Sequence, residues 1–497
     1  MPDYILNFKD VAITIVPEAL LLGSVCLMLL LGPFLVDDRG RADEGVSRRW
    51  TILSLLTLAI AGWVFVKLGH RPLADGPFSA DGLAYLVRAI SFGLGPVLIL
   101  LLTRQIDDGS SAEAHACLLA MLAGVNLVAL STDLVGLFLA LELVSIPTYV
   151  YLYLPRRDEQ MQEAALKYFL LSVFSSAFVL FGMSWLFGAT GTTNLAQIAA
   201  LIMAPGPNGP MVLAALAIVV AGLSFRLAAV PFHFYAPDVF QGVNSASAAV
   251  LAVLPKVAGF AALIRLLPGG ARWLSENAAS LPIQNLLAVL AVATMTIGNL
   301  LALRQRNLHR LLAYSSIAHS GYMLVGLTMG GGPAAIDGVT ALWFYLATYG
   351  LVTVGVFALL AAAGGDRPLK TDADLMGLSQ AHPAIAVLLA ISLFSLAGLP
   401  PTAGFWGKLN LFSASWTAET AWGVWLAAAI ALNAAVAAWY YLRLVGTMYR
   451  EDADAPAAPP SRLALAPAIA GGACAIGSIL LFAAPQRLLD LAAQIGG

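Results

Sequence analysis

GLSFRLAAVPFHFYAPDVFQG, residues 222–242, decides the fold class, together with SLAGLPPTAGFWGKLNLF at 395–412. Each stretch lies in an apolar run long enough to cross a bilayer, and each is broken by proline: Pro231 and Pro237 in the first, Pro400 and Pro401 in the second. Proline removes a helical hydrogen bond and clashes with the preceding turn. In lipid the freed carbonyls must be satisfied by protein or water, so broken helices line cavities. Both stretches also carry a cation where hydrocarbon is expected, Arg226 and Lys408.

Composition supports a membrane protein. Of 497 residues, 60% are hydrophobic and 11% charged, and the mean hydropathy is +0.84. Soluble domains carry about 25% charged residues. The net charge of −2 gives no basis for nucleic-acid binding. Cys26, Cys117 and Cys474 are far apart and share no metal-ligand spacing. No phosphate-binding glycine motif follows a strand pattern. No cleavable leader stands out in MPDYILNFKD.

A crossing helix needs about 20 apolar residues. On that measure the chain holds about fourteen candidate spans, at 13–36, 50–69, 82–103, 113–131, 133–154, 163–188, 211–236, 244–267, 283–303, 309–330, 335–363, 382–415, 421–449 and 462–485. The links after odd-numbered spans hold Arg39, Arg41, Arg48, Arg49, Arg104, Arg156, Arg157, Arg304, Arg306, Arg310, Arg367, Lys370, Arg450 and Arg462. The opposite side, ends included, holds only Lys9, Lys67, Arg71, Arg265, Arg272 and Arg487. The positive-inside rule makes the odd links cytoplasmic and puts both termini on the periplasmic side.

The broken spans are the seventh and the twelfth. An offset of five is odd, so a five-span repeat would be inverted in the membrane. LKYFL at 166–170 against LWFYL at 342–346 is a local match within it. The expected fold is an all-α polytopic membrane protein with about fourteen transmembrane helices, two inverted five-helix repeats and two discontinuous helices. Its divisions are 1–112 (three helices), 113–268 (repeat one), 282–450 (repeat two) and 451–497 (a linker and terminal helix).

A charge near the bilayer centre costs roughly 2.5–3.5 kcal/mol on insertion scales, so such residues are functional candidates. Glu142, in DLVGLFLALELVSIPTYV, lies roughly 13 Å into span five. An ion pair with Arg226 would relieve both burial costs. Lys256, in VLAVLPKVAGFAAL, lies about 18 Å into span eight. Buried lysine suits a proton relay. Lys408 follows the double proline and is a candidate exit group. His319 and His233 can donate, accept and titrate, and each could equally be a hydrogen-bonded core residue. Lys167 is a weaker candidate, because it can snorkel toward Arg156 and Arg157. Arg88 can snorkel or pair with Asp81, and Arg443 reads as snorkelling at the inner end of its span. Ser172, Ser175, Ser176, Ser315, Ser316 and Ser320 could hold water between charged groups or simply allow close packing.

FRLAAVPFHFYAPDVFQG (225–242), LPKVAGF (254–260), LLAYSSIAHSGYML (311–324) and LAGLPPTAGFWGKLNLF (396–412) resemble the antiporter-like membrane subunits of proton-pumping NADH–quinone oxidoreductase, respiratory complex I. Length, the style of the span-twelve motif and the lack of a long lateral helix after span fourteen bring the resemblance nearest the subunit N family. The resemblance implies a bacterial inner-membrane subunit whose central hydrophilic axis moves protons as quinone is reduced elsewhere. It implies that a span-five Glu pairs with a span-seven Lys, and that a span-eight Lys connects to a Lys or Glu in span twelve. NADH, FMN, iron–sulfur clusters and quinone would sit on other subunits. The partners would be other membrane subunits, neighbouring antiporter-like ones included, and lipids. The chain departs from the pattern at Arg226, because arginine keeps its proton in proteins. Arg226 would then tune Glu142, with Lys256 and Lys408 as carriers. The rival readings are a subunit of a cation/proton antiporter or membrane-bound hydrogenase, a stand-alone solute transporter, and a structural subunit with no proton path.

Overall fold

Apolar helices with small-residue faces account for nearly all of the structure. The computed structural model describes residues 3–36, 45–70, 76–103, 105–154, 159–203, 209–331, 336–365, 367–418, 420–450 and 463–496. Arg39, Arg41, Arg71, Arg104, Arg156, Arg157 and Arg462, which bear on orientation, lie outside the described residues.

A short helix α1 (Asp3–Thr14) leads into the first three crossings, α2 (Val16–Leu31), α3 (Val46–Leu68) and α4 (Gly82–Leu102). A first group of five crossings follows: α5 (Ser111–Leu130), α6 (Leu134–Tyr153), α7 (Glu159–Thr190), a discontinuous crossing and α11 (Ser245–Leu266). The short α8 (Leu195–Met203) precedes the discontinuous crossing, which is built from α9 (Gly209–Arg226) and α10 (Tyr235–Gly242). After the small α12 (Arg272–Glu276) come α13 (Leu281–Ala302), α14 (Leu308–Met329) and α15 (Gly338–Gly364). Past α16 (Leu378–Ala381), the second discontinuous crossing pairs α17 (Pro383–Ala397) with α18 (Ala403–Thr417), and α19 (Gly423–Met448) completes the second group. α20 (Leu465–Ala483) and an amphipathic α21 (Gln486–Gly496) end the chain.

Among the described residues, 12 helices are long and apolar enough to cross a membrane. Two more crossings come from α14, which is long enough at 22 residues but rich in Ser, His and Tyr, and from the α17–α18 pair. The expected count and both breaks therefore stand. Helix starts are fixed by short polar side chains that take up orphan N–H groups. Asp133 accepts from Val135 N at 2.8 Å, Asn244 from Ser247 N at 2.8 Å and Asn307 from Arg310 N at 3.0 Å.

Burial separates the helices by role. α3 exposes Ile52, Leu56, Ile60 and Trp63, and α19 exposes Trp425, Leu432 and Trp439. These are surfaces suited to lipid or to neighbouring helices. α11 is buried along its length except at half-buried Arg265, and α14 except at Arg310. The Ala-rich sequence of α11 lets neighbours approach from every side. The core of the molecule is thus the sleeve around α11, α14 and α15.

The two breaks satisfy their backbone differently. Residues 227–234 separate α9 from α10 and include a cis Val230–Pro231 bond. Here Tyr235 Oη donates to Phe225 O (2.9 Å) and Ser320 Oγ to Leu227 O (2.5 Å). Pro237 is not part of this break: it is the third residue of α10, where its missing N–H would be unpaired in any case. Residues 398–402 separate α17 from α18 and include a cis Pro400–Pro401 bond. There Lys408 Nζ reaches back to Leu396 O (2.9 Å) and Ala397 O (2.7 Å).

Candidate functional site: a buried line of charge and hydroxyl

The first cluster forms at the α9–α10 break. Arg226 is the last residue of α9 and points into α6. Its guanidinium lies 3.2 Å from Glu142 Oε1 and donates to Ser145 Oγ (2.7 Å) and Leu141 O (3.2 Å). Ser176 on α7 donates to the same Glu142 oxygen at 2.5 Å. The Arg226 side chain is 4% exposed, whereas that of Glu142 is 22% exposed. Glu142 shares a stripe of α6 with exposed Leu139 and Ile146, so its pair opens toward the side of the molecule.

The second cluster surrounds Lys256, which is 1% exposed on α11. Its Nζ donates to the carbonyl of Ser316, to Ser316 Oγ (2.6 Å) and to Tyr349 Oη (3.4 Å). Ser316 Oγ and Tyr349 Oη are themselves 2.7 Å apart. Among the described residues no carboxylate pairs with it, so its amine is held by neutral dipoles. One turn further along α11, Gly259 packs closely on Leu227 and the Arg226 side chain, which sets the two clusters side by side.

The third cluster joins Lys256 to Lys408. The His319 ring lies 4.9 Å from that of Tyr349 and 5.9 Å from that of Tyr322. Its Nδ1 is 2.6 Å from Tyr345 Oη and its Nε2 3.1 Å from Tyr441 Oη. Ser315 Oγ bonds Tyr441 Oη. Lys408 Nζ stands 5.3 Å above the Tyr322 ring while capping the carbonyls of α17. Gly398, at φ +86°, makes this possible, since a Cβ there would lie 2.6 Å from Lys408 Cδ. The amine of Lys408 is therefore drawn back to the break, although the residue itself belongs to the half-helix that follows it.

The structure thus brings Glu142, Arg226, Lys256, His319 and Lys408 into one run of contacts, with Pro231, Pro400 and Pro401 at its breaks. It leaves Lys167 aside. Lys167 is 43% exposed and pairs with Glu163 (2.6 Å) and Asp238 (3.6 Å) at the molecular surface. The reason is length: at 32 residues α7 is about 48 Å long and overruns a hydrocarbon core of about 30 Å, so its first turns lie in the aqueous rim. His233 lies half-buried in the first break, and none of the hydrogen bonds described for the line reaches it. Arg88 does not pair with Asp81. It forms a bidentate pair with Glu18 (2.6 and 2.9 Å), both 1% exposed, while Asp81 takes Arg265 at 2.6 Å. Arg443 donates to Leu303 O and Gln305 O at the end of α13.

Sequence reasoning missed Tyr322, Tyr345, Tyr349 and Tyr441, which connect the charged groups. The signal available was the four-residue spacing of Tyr345 and Tyr349 on a helix with no other reason to carry hydroxyls. It also missed Glu18, an acid inside the first apolar run. Among the described residues no group of three or more His, Cys, Asp or Glu could hold a metal ion.

A sleeve of apolar crossings, two of them broken, around buried Arg226, Lys256 and Lys408 defines the class as a polytopic membrane protein with an internal line of cations. The NADH:quinone oxidoreductase/Mrp antiporter transmembrane model matches residues 131–432. NADH-quinone oxidoreductase subunit N of Trichlorobacter lovleyi is 35% identical, the alignment covering 98% of this chain and 97% of that protein. A chain of respiratory complex I from Thermus thermophilus superposes with a TM-score of 0.77 at 32% identity, covering 96% of this chain and 99% of the other. A chain of the Mrp complex from Dietzia superposes with a TM-score of 0.78, covering 97% of each, but at 23% identity that likeness speaks for fold alone. The chain belongs to the NADH-quinone oxidoreductase subunit N family.

Proposed function

We propose that this chain is a proton-translocating membrane subunit of NADH–quinone oxidoreductase, with Lys256, His319 and Lys408 as its proton carriers and Glu142–Arg226 as the charge pair that sets their state. The observation that carries this reading is a buried succession: Lys256, Ser316 and Tyr349 joined by hydrogen bonds, then the rings of Tyr349, His319 and Tyr322 packed side by side, with Lys408 above the Tyr322 ring. Among the described residues neither Lys256 nor Lys408 has a carboxylate partner. Discharging such a lysine strands no carboxylate in the interior, because its partners are neutral dipoles. Arg226 keeps its proton throughout. Moving charge toward or away from Glu142 alters the field at Lys256, because its partner Arg226 packs on α11 at Gly259, one turn from that lysine. A proton leaving Lys256 passes to a hydroxyl or water beside Ser316 and Tyr349, crosses His319 from one ring nitrogen to the other, and loads Lys408 in its neutral form.

Quinone reduction, NADH oxidation, FMN and the iron–sulfur clusters belong to other subunits on this reading, and neighbouring antiporter-like subunits and lipids cover the apolar flanks. The links after odd crossings face the cytoplasm of a bacterial inner membrane and both ends face the periplasm. The antiporter reading is less specific, since the Mrp likeness rests on fold alone. The test is Lys256→Ala in the assembled complex, reconstituted in vesicles. Proton uptake per NADH oxidised should fall by the whole share of this subunit. Normal uptake would end the assignment.

A further inference from the structure

The central run leaves open how protons reach Lys256. A cavity of about 430 Å³ opens where α10 meets α11 and α14 begins. Its walls carry the amides Gln105, Gln160, Gln241, Asn244 and Asn307, and it ends on Ser245 and His309. Both of these are 8% exposed, and Ser245 Oγ is 3.2 Å from His309 Nε2. All the linking segments around the mouth follow odd-numbered crossings, so they share one side of the membrane.

Three helices run from this cavity to Lys256, and all three present a stripe toward it. On α11, Ser245, Ala249, Ala252 and Lys256 recur at helical spacing. On α14, His309 and Ser316 are two turns apart on one face. On α15, Ala361 at the cavity is followed inward by Phe357, Thr353 and Tyr349 at four-residue steps. The helices that hold the Lys256 ammonium are therefore the helices that line the cavity floor. His309 stands about 10 Å along α14 from Ser316, a distance a short file of water spans.

We propose that this amide-lined cavity is the cytoplasmic mouth of the proton inlet, and that His309 with Ser245 relays protons from it to Lys256. The inference rests on the reading of Lys256 as a carrier. One imidazole nitrogen takes a proton from water in the cavity. The other releases one inward, and the ring returns to neutral as the Lys256 amine becomes an ammonium. Ser245 faces the ring from α11, and Phe357 lies 5.7 Å away on α15. Next to it on α14, Arg310 is turned to Asp238 (2.8 Å) and Gln241 (2.9 Å) on α10. Lys370 lines the cavity from the segment after α15.

The experiment compares His309→Leu with Lys256→Ala in the assembled, reconstituted complex. His309→Leu should lower proton uptake per NADH by the same share as Lys256→Ala, with added imidazole restoring part of it in His309→Ala. Wild-type uptake in His309→Leu beside a loss in Lys256→Ala overturns the inlet and leaves the carrier reading standing. Loss in neither overturns both. Asn244→Cys supplies a variant outside the relay. A membrane-impermeant cationic thiol reagent added from the cytoplasmic side should label it and slow uptake. Full labelling with unchanged uptake overturns the proposal.

Discussion

The two discontinuous crossings solve one problem in two ways. At the α9–α10 break the freed carbonyls are capped by hydroxyls, Tyr235 and Ser320, and the cation Arg226 is left to pair with Glu142. At the α17–α18 break the cation is itself the cap: Lys408 sits on Leu396 O and Ala397 O, and among the described residues no carboxylate pairs with it. The first arrangement holds a charge that cannot be discharged. The second holds one that can be lost as a proton, though two carbonyls then lose a donor. A charge that cannot be discharged thus stands just before the first break, and one that can stands just after the second.

The sharpest way to break the comparison is at Lys408. Lys408→Met removes carrier and cap together. Proton uptake should fall to the level of Lys256→Ala, and the complex should melt earlier, since each orphaned buried carbonyl costs about 1–3 kcal/mol. Lys408→Arg separates the two roles. It should keep the melting temperature near wild type and still abolish the subunit's share of uptake, because arginine caps carbonyls and does not release its proton. If Lys408→Arg pumps, the movable charge is elsewhere.

Glu142→Gln tests the fixed charge. Removing one partner of a buried pair costs about 3–5 kcal/mol. With Glu142 22% exposed, the low end of that range is expected, read as thermal destabilisation of the complex. Glu142→Gln with Arg226→Met should recover most of the stability and none of the coupling. A smaller effect is expected for Arg226→Lys, which keeps the charge and gives up the two-sided grip on Glu142 and Ser145. Its uptake should stay within about twofold of wild type, a change of roughly 0.4 kcal/mol.

What the sequence made legible follows from the same physics. Fourteen crossings and both breaks were readable because hydropathy and proline speak locally, and Glu142–Arg226 because two opposite charges in hydrocarbon have few alternatives. The tyrosines were not readable. Tyr322, Tyr345, Tyr349 and Tyr441 are ordinary residues in apolar helices, and only packing reveals that the hydroxyls of Tyr345, Tyr349 and Tyr441 converge on His319 and Lys256 while the Tyr322 ring packs beside His319. Arg88 was misassigned to Asp81 because nearness along the chain was taken for nearness in space. Glu18 lies seventy positions from Arg88 and still meets it.

Lys167 marks where the symmetry between the halves stops. The pentapeptide match sets it against Trp343, yet Trp343 is fully buried on α15 while Lys167 is 43% exposed on α7. The third helix of the second group is enclosed on all sides, and that of the first group is a flank that opens to water at one end. A lysine on that flank already has Glu163 and Asp238 as partners and water to solvate it. Discharging it offers the central run nothing. Lys167→Met should therefore leave proton uptake per NADH unchanged, measured beside Lys256→Ala in the same vesicles. A loss comparable to that of Lys256→Ala would mean that the path continues through α7, and that the first half moves charge as the second does.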